Sequence, residues 1–264
     1  MSNYDKLFED AENNNYEKRE YQTALEFFEK ALAIRYSKDC INYIACCYLK
    51  LGKLTKAQSI LQGLVLNNPN WEKPLINLGR VNLAMGDRDK ALEFFESAAK
   101  VEPNSEDDYY YLGVYYFQQN NIMKAKEYYE KSLSIDNNQS ETHLNLGLCY
   151  LRLDVIDKAI IEFKQAYLLD SDCINAIYNQ GIAYYAIGNY KDALNYYLEA
   201  HKHLKDDTDI LYDIAHCYYK LKDLDNSIYW GNEVLKIDAE HGNAIKLVKN
   251  VSILNNRSRS KDSQ

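Results

Sequence analysis

Proline and glycine are scarce: 3 and 10 among 264 residues. A β-sandwich or barrel turns about every 8–12 residues, so this shortage excludes that class. No run of about 18 apolar residues occurs, so no membrane insertion is expected. Bases are outnumbered by acids, 31 to 39, leaving a net charge of −8. Nucleic-acid binding draws on cations that displace counterions from phosphates, so no nucleic-acid partner is expected. The opening MSNYDKLFED is charged and lacks the apolar core of a secretory leader. Catalytic signatures are missing too: there is no glycine-rich phosphate loop, G-x-S-x-G elbow or H-E-x-x-H. His201 and His203 stand two places apart, which on a helix puts them on different faces and gives no metal site. No His, Ser or Cys is paired by spacing with a base or an orienting acid. No enzyme, cofactor or metal is expected.

What is present is order. Hydrophobic residues at 47% and charged ones at 27% suit a folded chain, and 25 tyrosines stand against 2 Trp and 7 Phe. Gly79, Gly113, Gly147 and Gly181 recur every 34 residues. Gly52, Gly86 and Gly188 form a second ladder of the same period, with Asn120 and Asp154 on its missing rungs. Ala24, Ala57, Ala91, Ala125, Ala159 and Ala193 make a third series. The register divides the chain into units 4–37, 38–71, 72–105, 106–139, 140–173, 174–207 and 208–241, with no insertion expected in any of them. Each unit carries two blocks of helical periodicity, as in LINLGRVNLA and KALEFFESAAKV. The second ladder lies between the blocks, where Gly, Asn and Asp tolerate the left-handed residue that ends a helix. Pro69 and Pro103 fall between units, where a helix must stop. Ser105 with Asp108 three places on predicts a capping box.

Leu78-Gly79, Ala91, Phe95, Ala98 and Pro103 in the third unit resemble the tetratricopeptide repeat family nearly whole. The family's tyrosine, three places after the small residue, appears as Tyr48, Tyr116, Tyr150, Tyr184 and Tyr218, with Asn14 and Asn82 in its place in units one and three. The resemblance covers roughly nine-tenths of the chain and implies an all-α fold: a right-handed α-solenoid superhelix of tandem helix-turn-helix hairpins. Small residues would let helices approach closely while tyrosines and phenylalanines fill the spaces between them. Cys47, Cys149 and Cys217 share one place of the repeat and read as small buried apolar residues. Without a C-x-x-C, they point to a reducing, cytoplasmic compartment. The array is expected to end in a capping helix, 242–255, with Ile245 and Val248 in apolar places and Lys249 blocking further stacking. The polar residues 256–264 are expected to be disordered.

The resemblance also implies where a partner binds. First helices of such hairpins line a groove, and the sixth place of each unit points into it. Here that place holds Glu9, Tyr43, Asn77, Tyr111, Asn145, Asn179 and Asp213. Asn77, Asn145 and Asn179 are similar to the peptide-gripping asparagines of the O-GlcNAc transferase family, since an amide both donates to and accepts from a peptide main chain. Three neutral hydrogen bonds net about 1.5–4.5 kcal/mol, whereas micromolar binding takes about 8 kcal/mol. Aromatic contacts must supply the difference. Tyr110, Tyr111, Phe117, Tyr178, Tyr185, Tyr212 and Tyr219 occupy groove-facing places, with Lys73, Arg80 and Arg152 adding charge. Members that clamp the C-terminal carboxylate of heat-shock chaperones carry a Lys and an Asn one turn apart. The pairs in matching places begin Phe8–Glu12, Asn42–Cys46 and Ile76–Arg80, and none fits. The expectation is a monomeric adaptor that binds an extended protein segment. The alternative is an assembly scaffold acting through self-association or its convex face.

Overall fold

The computed structural model describes residues 2–16 and 18–261. Among them are fifteen α-helices, one π-helical segment and no strand. Two compact units divide the chain, Met1–Ile135 and Asp136–Gln264. The first unit holds α1 (Asn3–Glu9) running on into the π segment Asp10–Tyr16, then α2 (Tyr21–Ile34), α3 (Lys38–Lys50), α4 (Leu54–Asn67), α5 (Glu72–Met85), α6 (Arg88–Val101), α7 (Glu106–Gln118) and α8 (Ile122–Ile135). The second holds α9 (Ser140–Arg152), α10 (Ile156–Leu169), α11 (Ile174–Ala186), α12 (Tyr190–His203), α13 (Thr208–Lys220), α14 (Leu224–Ile237) and α15 (Gly242–Lys261).

The glycine ladder has a steric cause. A Cβ on Gly79 would come within 2.4 Å of the Phe95 ring, and one on Gly113, Gly147 or Gly181 within 2.5 Å of Tyr129, Phe163 or Tyr197. Each ring stands sixteen places after its glycine and seals the hairpin. Where that place holds Leu61 or Gly231 instead, the partner is alanine, Ala45 or Ala215, both fully buried. The alanines at 24, 57, 91, 125, 159 and 193 are likewise fully buried. Positive φ falls at Gly52, Gly86, Asn120, Asp154 and Gly188, the rungs of the second ladder, and at Lys222 and Arg19 beyond its ends.

Arg19 breaks the expected register. The first left-handed residue is not 18, which lies 34 before Gly52, but 19. The π segment Asp10–Tyr16 accommodates the extra residue, and the connection Arg35–Ser37 before α3 is one residue shorter than Asn68–Trp71 before α5. An insertion and a deletion therefore cancel inside the first unit, and the alanine spacing of 33 from Ala24 to Ala57 is their trace. A π turn displaces the backbone bond pattern by one residue. Here the Asn15 side chain donates Nδ2–H to the Asp10 carbonyl at 2.6 Å across the widened turn. Counted back from Arg19, the family's tyrosine place falls on Asn15 rather than Asn14: Glu20 N–H donates to the Asn15 carbonyl as Lys53 does to that of Tyr48.

Two further expectations are corrected. Ser105 caps α7 without a side-chain hydrogen bond, and Asp108 does not return one. Its carboxylate is fully buried with neither oxygen hydrogen-bonded, and burial followed by the charge of Glu72 pushes its pKa up to about 7. The last helix runs six residues past 255, through Lys261, since no Gly or Pro interrupts it after Gly242; residues 262–264 lie outside the described residues. Its buried stripe is Ala244, Leu247 and Val251, with Val248 packed over Gly231, while Ile245 is exposed. Lys249 is exposed.

Candidate peptide-binding faces

In the first unit the first helices frame a cleft of about 450 Å³. At its base sits Arg80, from the third turn of α5. Its Nη1–H donates to Asn77 Oδ1 at 2.7 Å, and its guanidinium lies over the Tyr111 ring, 5.1 Å from the centroid. Asn77 in turn donates Nδ2–H to Asn42 Oδ1 at 3.0 Å, a bond between two hairpins. Asn42 and Asn77 are both buried, so the amide expected to grip a peptide is committed to holding Arg80. The Tyr16 hydroxyl and Cys46 thiol lie against the same guanidinium. Burial pushes both above their ordinary pKa values, most strongly opposed for Cys46 by the Arg80 charge.

A second cleft of about 440 Å³ adjoins it, with Tyr43 common to both linings. The Tyr43 hydroxyl donates to Glu12 Oε1, and its ring stacks on Phe28 with centroids 5.0 Å apart. Lys73 is exposed and lines both clefts. Tyr110 and Tyr111 meet edge to face at 4.9 Å; Tyr111 also stacks on Phe95 and Tyr110 packs on Tyr129. Both are half-buried, as is Phe117 farther along α7. Tyr111 therefore packs and lines the first cleft at once, while Tyr110 packs without lining either cleft.

The second unit uses the same places differently. Tyr178 on α11 donates its O–H to Asp213 Oδ2 at 2.8 Å, and burial, offset by that bond, moves the Asp213 pKa up to about 6. His216 lies parallel to Tyr212, Tyr219 and Tyr185, at 5.8, 6.0 and 5.6 Å between centroids. The Tyr185 oxygen is 2.9 Å from His216 Nδ1, so with that nitrogen as acceptor the hydroxyl donates. Burial first, then Lys220, lowers the His216 pKa below its ordinary 6.5. The imidazole, shifted toward its neutral form, thus lies among three tyrosine rings. Asn145 is half-buried and Arg152 exposed, both on α9, while Asn179 bonds back to the Asn175 carbonyl of its own helix at 2.8 Å. The three asparagines thus do not form one equivalent series.

Sequence reasoning missed Tyr16, Asn42, Cys46 and His216. Tyr16 was hidden by the register shift, which moves it into the place held elsewhere by Phe117, Tyr185 and Tyr219. His216 had a signal, since it stands 136 residues, four repeats, after Arg80.

Comparison with known proteins now bears on these faces. Two tetratricopeptide repeat models match residues 43–70 and 178–241, and a model of the anaphase-promoting complex, cyclosome, subunit 3 matches 84–166. The chain is a tetratricopeptide repeat protein. It is similar to Cut9 in a crystal structure of the anaphase-promoting Cut9–Hcn1 hetero-tetramer, with a TM-score of 0.72 and 21% identity over 94% of this chain and 48% of that one. It is also similar to YrrB, described as a repeat protein with an unusual peptide-binding site, with a TM-score of 0.64, 18% identity and coverage of 72% and 97%. At these identities the likeness shows the solenoid fold alone. In sequence, the heat shock protein STI1 of Saccharomyces cerevisiae is 30% identical over 82 residues, 30% of this repeat chain and 14% of STI1. The repeat protein therefore spans about half of Cut9 and a small part of STI1. Among its described residues no helix is long and apolar enough to cross a membrane.

Proposed function

We propose that this repeat protein is a non-enzymatic cytoplasmic adaptor that binds an extended segment of a protein partner on the first-helix faces of its hairpins. The observation that carries the reading is the Arg80 cleft. A guanidinium held by Asn77, Tyr111 and Tyr16, with no carboxylate in an ion pair with it among the described residues, is a recognition group prepared for something outside the chain. The half-buried Tyr178, Tyr185, Tyr212 and Tyr219 offer the second unit's counterpart, rigid rings with one face committed to packing. Five of the six cysteines are buried and all are unpaired, which suits a reducing compartment. The test is capture of a partner by the wild type and by two folded variants, Lys73→Gln/Arg80→Lys and Tyr212→Ala/Tyr219→Ala. Loss with either variant supports the reading. Undiminished capture by both contradicts it.

One observation favours a second reading, an assembly scaffold acting through second helices. Leu66, Met123, Ile161, Leu168 and Tyr229 are exposed on α4, α8, α10 and α14, Leu66 at 82%. Sedimentation over a hundredfold concentration range decides between them: a constant monomer mass removes self-association.

A further inference from the structure

A buried ion pair sets the hairpin of α9 and α10 apart. The fourth and twenty-third places of unit 140–173 hold His143 and Glu162. In units two, three, four, six and seven the same places hold only apolar or aromatic residues, such as Tyr109 with Tyr128 and Leu211 with Trp230. Those pairs are packing: the Tyr109 and Tyr128 rings stack with centroids 6.4 Å apart, and Leu211 and Trp230 share one core cluster. Apolar packing fills such a position without the desolvation cost of a buried ion pair, so His143 and Glu162 bring chemistry that the seal itself does not require.

Geometry fixes the protonation of the ring. His143 is 4% exposed, with Nδ1 2.7 Å from Glu162 Oε2 and Nε2 3.1 Å from the Asn137 carbonyl oxygen. A carboxylate and a carbonyl only accept, so both ring nitrogens must donate, and only the imidazolium carries both hydrogens. Burial opposes that charge. The bonds to Glu162 and Asn137, with the Glu162 charge, outweigh it and hold the His143 pKa above its ordinary 6.5. The helices of this unit packed on α9 are α10 and α11, and α11 has no charged residue. On α10, Asp157, Lys158 and Lys164 are exposed, as are Glu141 and Arg152 on α9 itself. Before α9, the Asp136 carboxylate accepts from the Asn138 N–H.

The Asn137 carbonyl belongs to the segment 136–139, which joins α8, the end of the first unit, to α9 in the second. We infer that His143 is a proton-operated latch on this joining segment: the imidazolium holds the Asn137 carbonyl and the Glu162 carboxylate at once, and a ring that has lost a proton releases one of them. If Nδ1 keeps its hydrogen, the Nε2 lone pair faces the carbonyl. If Nε2 keeps it, the Nδ1 lone pair faces the carboxylate. Either arrangement sets two acceptors against each other inside the fold. The sign follows from a pKa raised by folding. The latch is closed below 6.5 and opens as pH rises through the higher value of the folded state.

The test is a pH titration of the full chain by NMR. It follows the His143 ring nitrogens and the amide nitrogen of Asn138, which shares its peptide group with the Asn137 carbonyl. The ring is expected to carry both protons at pH 6, to lose one above 6.5, and to move the Asn138 amide with the same midpoint. Glu162→Gln is expected to lower that midpoint. The hairpin of α7 and α8 supplies a control, because the Tyr109 hydroxyl donates to the Pro103 carbonyl at 3.0 Å, six residues back, as His143 does to Asn137. His143→Tyr/Glu162→Tyr copies that pair, identifies the His143 signals by their loss, and is expected to abolish the neutral-range titration at Asn138. Three results overturn the inference: a ring that titrates at or below 6.5, an Asn138 amide that does not follow the ring, or an Asn138 titration that survives in the double variant. The first two are read from the wild type alone, so they decide the matter even where the double variant does not fold.

Discussion

Arg80 and His216 occupy the same place of the repeat, in the third and seventh hairpins, and the residue three before each is Asn77 in one and Asp213 in the other. In the first unit the amide orients a permanent cation. In the second, the Asp213 carboxylate takes the Tyr178 hydroxyl, and His216 is kept toward its neutral form by burial and by Lys220. One scaffold thus presents a positive cleft and an aromatic, acidic face from equivalent positions. The helices set where a side chain stands, and its immediate neighbours set what charge it carries.

The hairpin seal is where the two units are alike, and breaking it gives the largest effect. Gly113→Val and Gly147→Val each drive side-chain atoms into a ring that a Cβ would already approach to 2.5 Å. Both are expected to cost about 2–3 kcal/mol in denaturant unfolding. A marked inequality would show that the units do not share one packing rule.

Asp108 is where they differ most in stability. Its place holds Thr142, Ala176 and Ile210 in the second unit's hairpins. With the folded pKa raised to about 7, the unfolded state binds fewer protons between about pH 4 and 7, so stability falls as pH rises through that window. Asp108→Asn is expected to flatten that dependence and to stabilise the protein by about 1–3 kcal/mol at pH 8. Chemical denaturation at pH 5 and pH 8 checks both statements.

The asparagines sharpen the comparison further. Asn77→Ala strips a buried partner from Asn42 and Arg80 and is expected to destabilise by about 1–3 kcal/mol. Asn179→Ala removes only a bond to its own helix and is expected to change stability by less than about 0.5 kcal/mol. Similar losses at both sites would restore an equivalent ladder. A modest effect belongs to His216→Phe, which keeps the ring stack and loses the Tyr185 hydroxyl's acceptor, at about 0.5–1.5 kcal/mol. That loss should shrink as pH falls below the ordinary imidazole range, because a protonated Nδ1 no longer accepts the Tyr185 hydroxyl.

Much of the fold was legible because the repeat writes each packing requirement several times. A glycine facing a ring sixteen places later, or a left-handed residue closing a hairpin, leaves a ladder. The π turn leaves only a single discrepancy, 34 residues from Ala11 to Ala45 against 33 from Ala24 to Ala57. Its compensating deletion restores the period before the next unit begins. The candidate faces were legible as places and not as states. Sixth-place residues do lie on first-helix faces, but whether Asn77 is available depends on Asn42, 35 residues earlier in another hairpin. The failed capping box at Ser105 and Asp108 has the same origin, since spacing gives the residue types while burial decides whether they meet.

The central claim is that partners are held on first-helix faces. Its most direct test is photo-crosslinking from p-benzoylphenylalanine placed singly at Tyr111, Tyr212, Leu66 or Ile161 of the full chain in a lysate. Partner adducts from positions 111 and 212, and none from 66 and 161, are the predicted result. Adducts confined to 66 and 161 would move recognition to the second helices and contradict the account.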